Sequence, residues 1–294
     1  MLTVRNLNKQ IDGKRIIENV SFDIAVGTIT GLIGRNGVGK STLLRLLAGI
    51  LDPDKGEIRL NGSNLTDHPL NKNSMFYVPD STSMFNGYTV QDLVRFHRSM
   101  YDQLDERSFY HWLNHFQLPA NRKIRSFSKG MKALLFMILA LSTRAKLILL
   151  DEPTNGLDVI VNKQIMQLLI EEVSDRQISV IMSSHHLQEL EKIADIIMFM
   201  KGATIDSIIR IDEVRQSYRK LQVAFADSSS NPWDLLPQVE VLTQVGRVTT
   251  LLVKSDVKET LQLLQESQPL LLEELPITIE DIFISKLGGD QYVS

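Results

Sequence analysis

Gly34-Arg35-Asn36-Gly37-Val38-Gly39-Lys40-Ser41-Thr42 spells G-x-x-x-x-G-K-[ST], the pattern of a loop that wraps a phosphate chain. With average residue usage its four fixed positions coincide by chance in about one chain of this length in a hundred. The flanks sharpen the reading. Ile29-Thr30-Gly31-Leu32-Ile33 before it is apolar and β-prone, and Leu43-Leu44-Arg45-Leu46-Leu47-Ala48 after it is a good helix former. A strand, a glycine-rich turn and a helix N-terminus together aim backbone N–H groups and a positive dipole end at anionic oxygens. Glycines let the loop approach the anion, Lys40 reaches the β- and γ-phosphates, and the Ser41 hydroxyl can ligate Mg²⁺.

A second segment, Lys146-Leu147-Ile148-Leu149-Leu150-Asp151-Glu152-Pro153, places two acids after four apolar residues. That run predicts a buried parallel strand with the acids at its carboxyl end, where open α/β sheets bind ligands. Asp151 suits Mg²⁺ through its shell of waters, and Glu152 suits polarising a water that attacks the γ-phosphate. A third segment, Phe127-Ser128-Lys129-Gly130-Met131, leads into the long apolar helix predicted over Lys132 to Leu141. Ser128 and Gly130 would present a hydroxyl and backbone donors to an anion at that helix's start.

With these three segments in this order the chain resembles the nucleotide-binding subunits of ABC transporters, over residues 1 to about 205. The resemblance implies an α/β P-loop NTPase of ABC type: a RecA-like core, an antiparallel β subdomain, and a helical lobe at about 82–145. It assigns Gly34, Arg35, Asn36, Gly37, Val38, Gly39, Lys40, Ser41 and Thr42 to the Walker A loop. Leu147 to Glu152 match Walker B, with Glu152 as the catalytic glutamate. Ser128 and Gly130 match the signature, usually LSGGQ, which caps the nucleotide bound by the opposite subunit. Gly156-Leu157-Asp158 match the D-loop at the dimer interface. His185, after the strand-like run Ile178-Ser179-Val180-Ile181-Met182, matches the switch histidine that contacts the γ-phosphate; His186 falls at a variable position. Glu152, His185 and Lys40 are thus the expected catalytic set. The expected metal set is Ser41, Asp80 and Asp151, with ATP and Mg²⁺ bound.

Three positions depart from the family pattern. The aromatic that stacks on adenine falls at Ile11, so about 1–3 kcal/mol of stacking is lost and weak discrimination between ATP and GTP is expected. Tyr77 or a partner residue is the alternative source of a ring. Asp80, in Tyr77-Val78-Pro79-Asp80, stands where the family has a glutamine that touches Mg²⁺; aspartate brings charge but is one methylene shorter. In the signature, Lys129 replaces a glycine and Met131 the final glutamine, a variation similar to that of bacterial exporters with separate ABC-2-type membrane subunits.

Bulk properties narrow the classes further. A net charge of −3 argues against nucleic-acid binding by bulk electrostatics, and the absence of cysteine excludes disulfides and thiolate metal sites. The N-terminus lacks the basic-then-apolar plan of a signal peptide. The longest apolar run, Ala133 to Leu141, is nine residues against the roughly 18 needed to cross a bilayer. Any membrane span must come from another chain. From Lys40 to Ser128 there are 88 residues, too few for the coiled-coil insert of chromosome-structure ATPases. A single motif set also differs from the tandem translation-factor ATPases.

After about residue 205 the composition shifts. Residues 206–294 carry eight basic and fourteen acidic side chains, a net −6, against +3 for the front portion. A helix near Glu213 to Lys220 is expected to lead into a small α+β accessory domain over 206–294. Strands are predicted at 221–224, 239–242 and 249–253, and helices at 256–265 and 279–286, separated by Leu270-Leu271-Leu272 and Pro276. A turn is expected at Ser228 to Pro232, with Trp233 as a packing residue. The expectation is an ATPase subunit at the cytoplasmic face of the membrane. It would pair with a second ATPase subunit, identical or not, and drive a separate permease, with export the expected direction. The alternative is a soluble ABC-type ATPase that switches a cytosolic partner.

Overall fold

A computed structural model describes residues 2–65, 73–226 and 232–287. The chain divides into two compact units, Met1–Ile208 and Ile209–Ser294. In the first, β1 (Leu2–Ile11) and β2 (Lys14–Ile24) form a hairpin through the Asp12-Gly13 turn, whose positive φ values suit Asp and Gly. With β4 (Lys55–Leu60) and β5 (Ser63–Asn64) they make an antiparallel sheet ordered β2-β1-β4-β5. The hairpin strands are long, ten and eleven residues. Both alternate toward one core that also receives Leu43, Leu46 and Leu47 of α1 (Lys40–Leu47).

The second sheet has the order β10-β9-β3-β8-β7-β6 and carries the site. Its strands are β3 (Ile29–Ile33), β6 (Met75–Val78), β7 (Leu147–Asp151), β8 (Ser179–Ser184), β9 (Ile196–Lys201) and β10 (Thr204–Arg210). The pairs β9–β3, β3–β8, β8–β7 and β7–β6 are all parallel. Every residue of β3, β7 and β8 is buried, which is why their apolar residues come in continuous stretches, such as Leu147 to Leu150 and Val180 to Met182, instead of alternating with polar ones. Parallel pairing also brings the carboxyl ends of β3, β7 and β8 side by side, where Gly34 follows β3, Asp151 ends β7 and His185 follows β8.

The helical lobe contains α2 (Val90–Arg98), α3 (Glu106–His115) and α4 (Lys129–Ser142). Thr89 caps α2 in a reciprocal box: its hydroxyl accepts from Asp92 N while the Asp92 carboxylate accepts from Thr89 N. His97 on α2 is 5 % exposed, ringed by Phe76, Phe85, Phe96 and Tyr101, and its Nδ1–H donates to Leu93 O at 2.8 Å. Burial pulls its pKa below the ordinary 6.5, with the Leu93 bond opposing. Its sign is fixed by linkage: the unfolded imidazole takes a proton near pH 6.5 and the folded one only at lower pH. This contribution to stability is therefore present above pH 6.5 and is lost as pH falls toward the lowered value. Thermal unfolding of His97→Leu should show a smaller drop in Tm between pH 7 and pH 5 than the natural protein. Equal drops in both would remove His97 as the titrating group.

The second unit contains α7 (Ile211–Ser217), β11 (Arg219–Ala224), β12 (Val239–Val245), β13 (Val248–Val253), α8 (Val257–Glu266), β14 (Leu271–Leu275) and α9 (Ile279–Leu287). Two expectations change. The helix ends at Ser217, because Arg219 and Lys220 are drawn into β11, which pairs with both β13 and β14. Leu270-Leu271-Leu272 is no mere separator, since Leu271 and Leu272 open the edge strand β14. The antiparallel order β12-β13-β11-β14 is that of a split βαβ sheet, in which a short 3₁₀ turn at Pro232–Leu235 replaces the first helix. Trp233 packs on Phe225 in the core of this unit. The turn expected at Ser228 falls on residues outside those described.

Candidate functional site

Gly34 to Gly39 turn from β3 into α1. A Cβ on Gly34 would stand 2.7 Å from Met200 O, and one on Gly39, at φ +114°, would stand 2.8 Å from Ile16 O. Only glycine fits at either position. Gly39 is the N-cap of α1 and supplies no side-chain hydrogen bond, so the first amides of the helix face the loop. Lys40 is 6 % exposed and its Nζ donates to Gly34 O at 2.6 Å. Its ammonium also stands 3.2 Å from Glu152 Oε1. That contact is an ion pair without hydrogen-bond geometry, and Oε1 is buried with no hydrogen-bond donor.

Asp151, 1 % exposed, is held by three hydroxyls. Ser41 Oγ donates to Oδ1 at 3.0 Å, Ser183 Oγ to Oδ1 at 2.8 Å, and Tyr77 OH to Oδ2 at 3.1 Å. Burial first, then the charge on Asp151, pushes the Tyr77 hydroxyl up to about 12, so it remains a donor throughout the physiological range. Tyr77, considered above as a ring for adenine, is committed to this bond from the sheet interior and does not line the cleft. Glu152 follows in the left-handed region at φ +47°, an uncommon position for a residue with a side chain. Its N–H donates to Ser183 Oγ at 2.9 Å, and its Oε2 stands 2.8 Å from His185 Nδ1. A carboxylate only accepts, so the Nδ1 proton points at Glu152.

An open cleft of about 580 Å³ lies over the loop, lined by Ile11, Arg35, Asn36, Gly37, Gly39, Lys40, Ser41, Thr42, Asp80, Glu152 and Asn155, with Asp12, Lys14 and Ile16 at the hairpin side. Ile11 is 39 % exposed there and offers apolar cover only. Ser41 and Asp80 line the cleft and Ser41 hydrogen-bonds Asp151 behind it, so the chemistry of the donors, a hydroxyl and two carboxylates, is the hard-oxygen kind that fits Mg²⁺. Gly34 and Val38 form the loop behind the cleft wall, and His185 reaches it through Glu152. Ser128 and Gly130 do not line it. Ser128 is the N-cap of α4 and its hydroxyl accepts from Met131 N at 3.2 Å. Ser183, Tyr77 and Asn155 were not singled out for these places in the sequence. Ser183 lies two residues before His185, but only β7–β8 pairing shows that it bridges Asp151 and Glu152.

Residues 17–155 match the family model described as ABC transporter. The ABC transporter ATP-binding protein YtrB of Bacillus subtilis (strain 168) is 35 % identical over 289 residues, 98 % of this chain and 99 % of YtrB. This chain belongs to the ABC transporter family. A second ABC relative, the spermidine/putrescine import ATP-binding protein PotA of Mycoplasma mycoides subsp. mycoides SC, is 31 % identical over 236 residues, 79 % of this chain and 67 % of PotA. The solved ATP binding subunit of an ABC transporter aligns with a TM-score of 0.67 at 26 % identity, over 74 % of this chain and 92 % of its own. The chain is thus an ATP-binding subunit of an ABC transporter and an ATPase with the ABC cassette fold. Among the described residues no helix is long and apolar enough to cross a membrane.

Proposed function

We propose that this ATPase works as one of a head-to-tail pair at the cytoplasmic face of a membrane and drives export through a separate ABC-2-type permease. The observation that carries the pairing is that the phosphate loop and Ser128–Gly130 belong to one chain but do not share a cleft. A nucleotide on this loop is therefore open on the side that the signature of a second ATPase subunit would close, whether a second copy or a related chain. Export is favoured by the lysine-containing signature, although a relative such as PotA is named for import.

In this reading the loop amides and Lys40 hold the phosphates, and Ile11 covers the base. Glu152 orients and polarises the attacking water, and His185 positions Glu152 and senses the γ-phosphate. Ser41, Asp151 and Asp80 would hold Mg²⁺, which when bound would offset phosphate charge. Asp151 is held in its orientation by three hydroxyl donors, Ser41, Ser183 and Tyr77.

The permease is proposed to dock on the helical lobe. Met84 is 73 % exposed, and Tyr88, Phe96 and Met100 are also exposed large apolar side chains. Phe85 lies against both Tyr88 and Phe96, with ring centroids 5.6 and 6.1 Å apart, so the patch is continuous. Met84→Glu combined with Tyr88→Glu should abolish copurification with a multi-span membrane protein while ATP affinity stays within about twofold, since surface changes are usually mild. Copurification at the natural level would remove this patch, and no multi-span partner at all would favour a switch acting on a cytosolic protein.

A further inference from the structure

The signature end of α4 packs onto the segment that follows the catalytic strand in its own chain. A Cβ on Gly130 would stand 3.2 Å from Val161 Cγ2, and Lys129 Nζ lies 2.8 Å from the place of a Cβ on Gly156. Val161 and Asn162 lie in the first turn of α5 (Val159–Arg176), whose N-cap Asp158 accepts from Ile160 N and Val161 N. Asn162 then reaches a carboxylate on a different element. Its Nδ2 donates to Glu189 Oε1 at 2.9 Å, while Thr154 Oγ1 donates to Glu189 Oε2 at 2.8 Å. Glu189 stands on the short helix α6 (Leu187–Leu190), four residues past His185. Thr154 is 5 % exposed and two residues past Glu152.

One carboxylate thus joins three segments: the turn that carries His185, the loop that carries Glu152, and the helix on which the signature rests. Because each oxygen serves a different segment, neither can move relative to α6 without breaking a charge-assisted hydrogen bond. We propose that Glu189 is a positioning residue that couples the nucleotide site capped by this chain's signature to its own Glu152–His185 pair. This rests on the paired-subunit reading above. A displacement of Gly130 would reach α5 through Val161, and Glu189 would pass it to both loops as a shift of packed elements. Glutamine at 189 can preserve the link. Its amide oxygen accepts from Asn162 Nδ2, and its N–H₂ donates to Thr154 Oγ1 or to Asn162 Oδ1, which is buried with no donor. Alanine preserves neither bond.

The test uses the full chain, alone and with any counterpart subunit that copurifies. Glu152→Gln in Mg-ATP is examined first by light scattering; a monomer overturns the paired reading and this inference with it. Where it dimerises, Glu189→Ala is expected to lower kcat about tenfold at unchanged KM, the size of a typical coupling effect. Glu189→Gln should restore most of that loss. Thr154→Val should cost less when added to Glu189→Ala than it does alone, because the two share one bond. A kcat within twofold of the natural protein in Glu189→Ala overturns the proposal. So does a parallel loss of kcat, KM and thermal stability, failure of glutamine to rescue, or costs of the two substitutions that simply multiply.

Discussion

Glu152→Gln should reduce ATP hydrolysis by about 10²–10⁴-fold, the usual contribution of a positioned general base, while leaving ATP bound. The substitution is nearly isosteric, so the N–H of residue 152 keeps its bond to Ser183 Oγ and the amide oxygen can still accept from His185 Nδ1. What disappears is the negative charge. The neutral amide cannot draw a proton from water, so a water molecule in the right place is no longer activated. The same loss releases Lys40 from its 3.2 Å ion pair with Glu152 and removes repulsion against the γ-phosphate. ATP should therefore bind at least as tightly as before, and the proposed pair should persist. Phosphate release under single-turnover conditions and light scattering in Mg-ATP measure the two halves. Sustained turnover would take Glu152 out of its role, and hydrolysis lost together with ATP binding would make its part structural.

Lys40→Ala should weaken ATP binding by about 2–5 kcal/mol, roughly 30- to 5,000-fold, the range seen when one member of a buried charge pair is removed. Lys40 is 6 % exposed and rooted at the first residue of α1, so its ammonium is held beside Glu152. Its loss acts twice. The phosphates lose a buried ammonium, and Glu152, 12 % exposed, loses its counter-charge in the nucleotide-free protein. The nucleotide-free Tm should fall in Lys40→Ala and recover in Lys40→Ala with Glu152→Gln, because the double variant buries no uncompensated carboxylate. ATP affinity should stay low in both. Calorimetric titration and thermal unfolding separate these effects. Natural affinity in Lys40→Ala would remove the lysine from phosphate binding, and a double variant no more stable than the single one would deny the coupling.

How much of this was legible in the chain follows from how local each determinant is. The phosphate loop needs glycines at fixed intervals because the backbone itself is the binding surface, so its spacing shows in the sequence. Strands buried on both faces favour continuous apolar and β-prone stretches, so β3, β7 and β8 were visible, and the acids at the end of β7 could be referred to a ligand edge. The Thr89–Asp92 cap is equally local, since the two residues lie three apart. Contacts between distant segments were less legible. Tyr77 read as a candidate ring for adenine because an exposed aromatic and a half-buried hydroxyl donor look alike in sequence. Leu270-Leu271-Leu272 read as a separator because a short edge strand flanked by Glu273 and Glu274 lacks a clean alternation. The α7 boundary was misplaced because strand pairing outweighed the helix propensity of Arg219 and Lys220.

By itself the sequence determined the chemistry available: a phosphate-gripping loop, an Asp-Glu pair at a strand end, a signature with lysine in place of glycine, and a family. Tertiary structure alone decided which groups meet. It set three hydroxyls on Asp151, turned the Nδ1–H of His185 onto Glu152, and placed one Glu189 carboxylate between Thr154 and Asn162. The division has a physical cause. Backbone conformation and burial are dictated by residues near in sequence, whereas a side-chain hydrogen bond depends on register between strands and helices tens of residues apart, which no local pattern encodes.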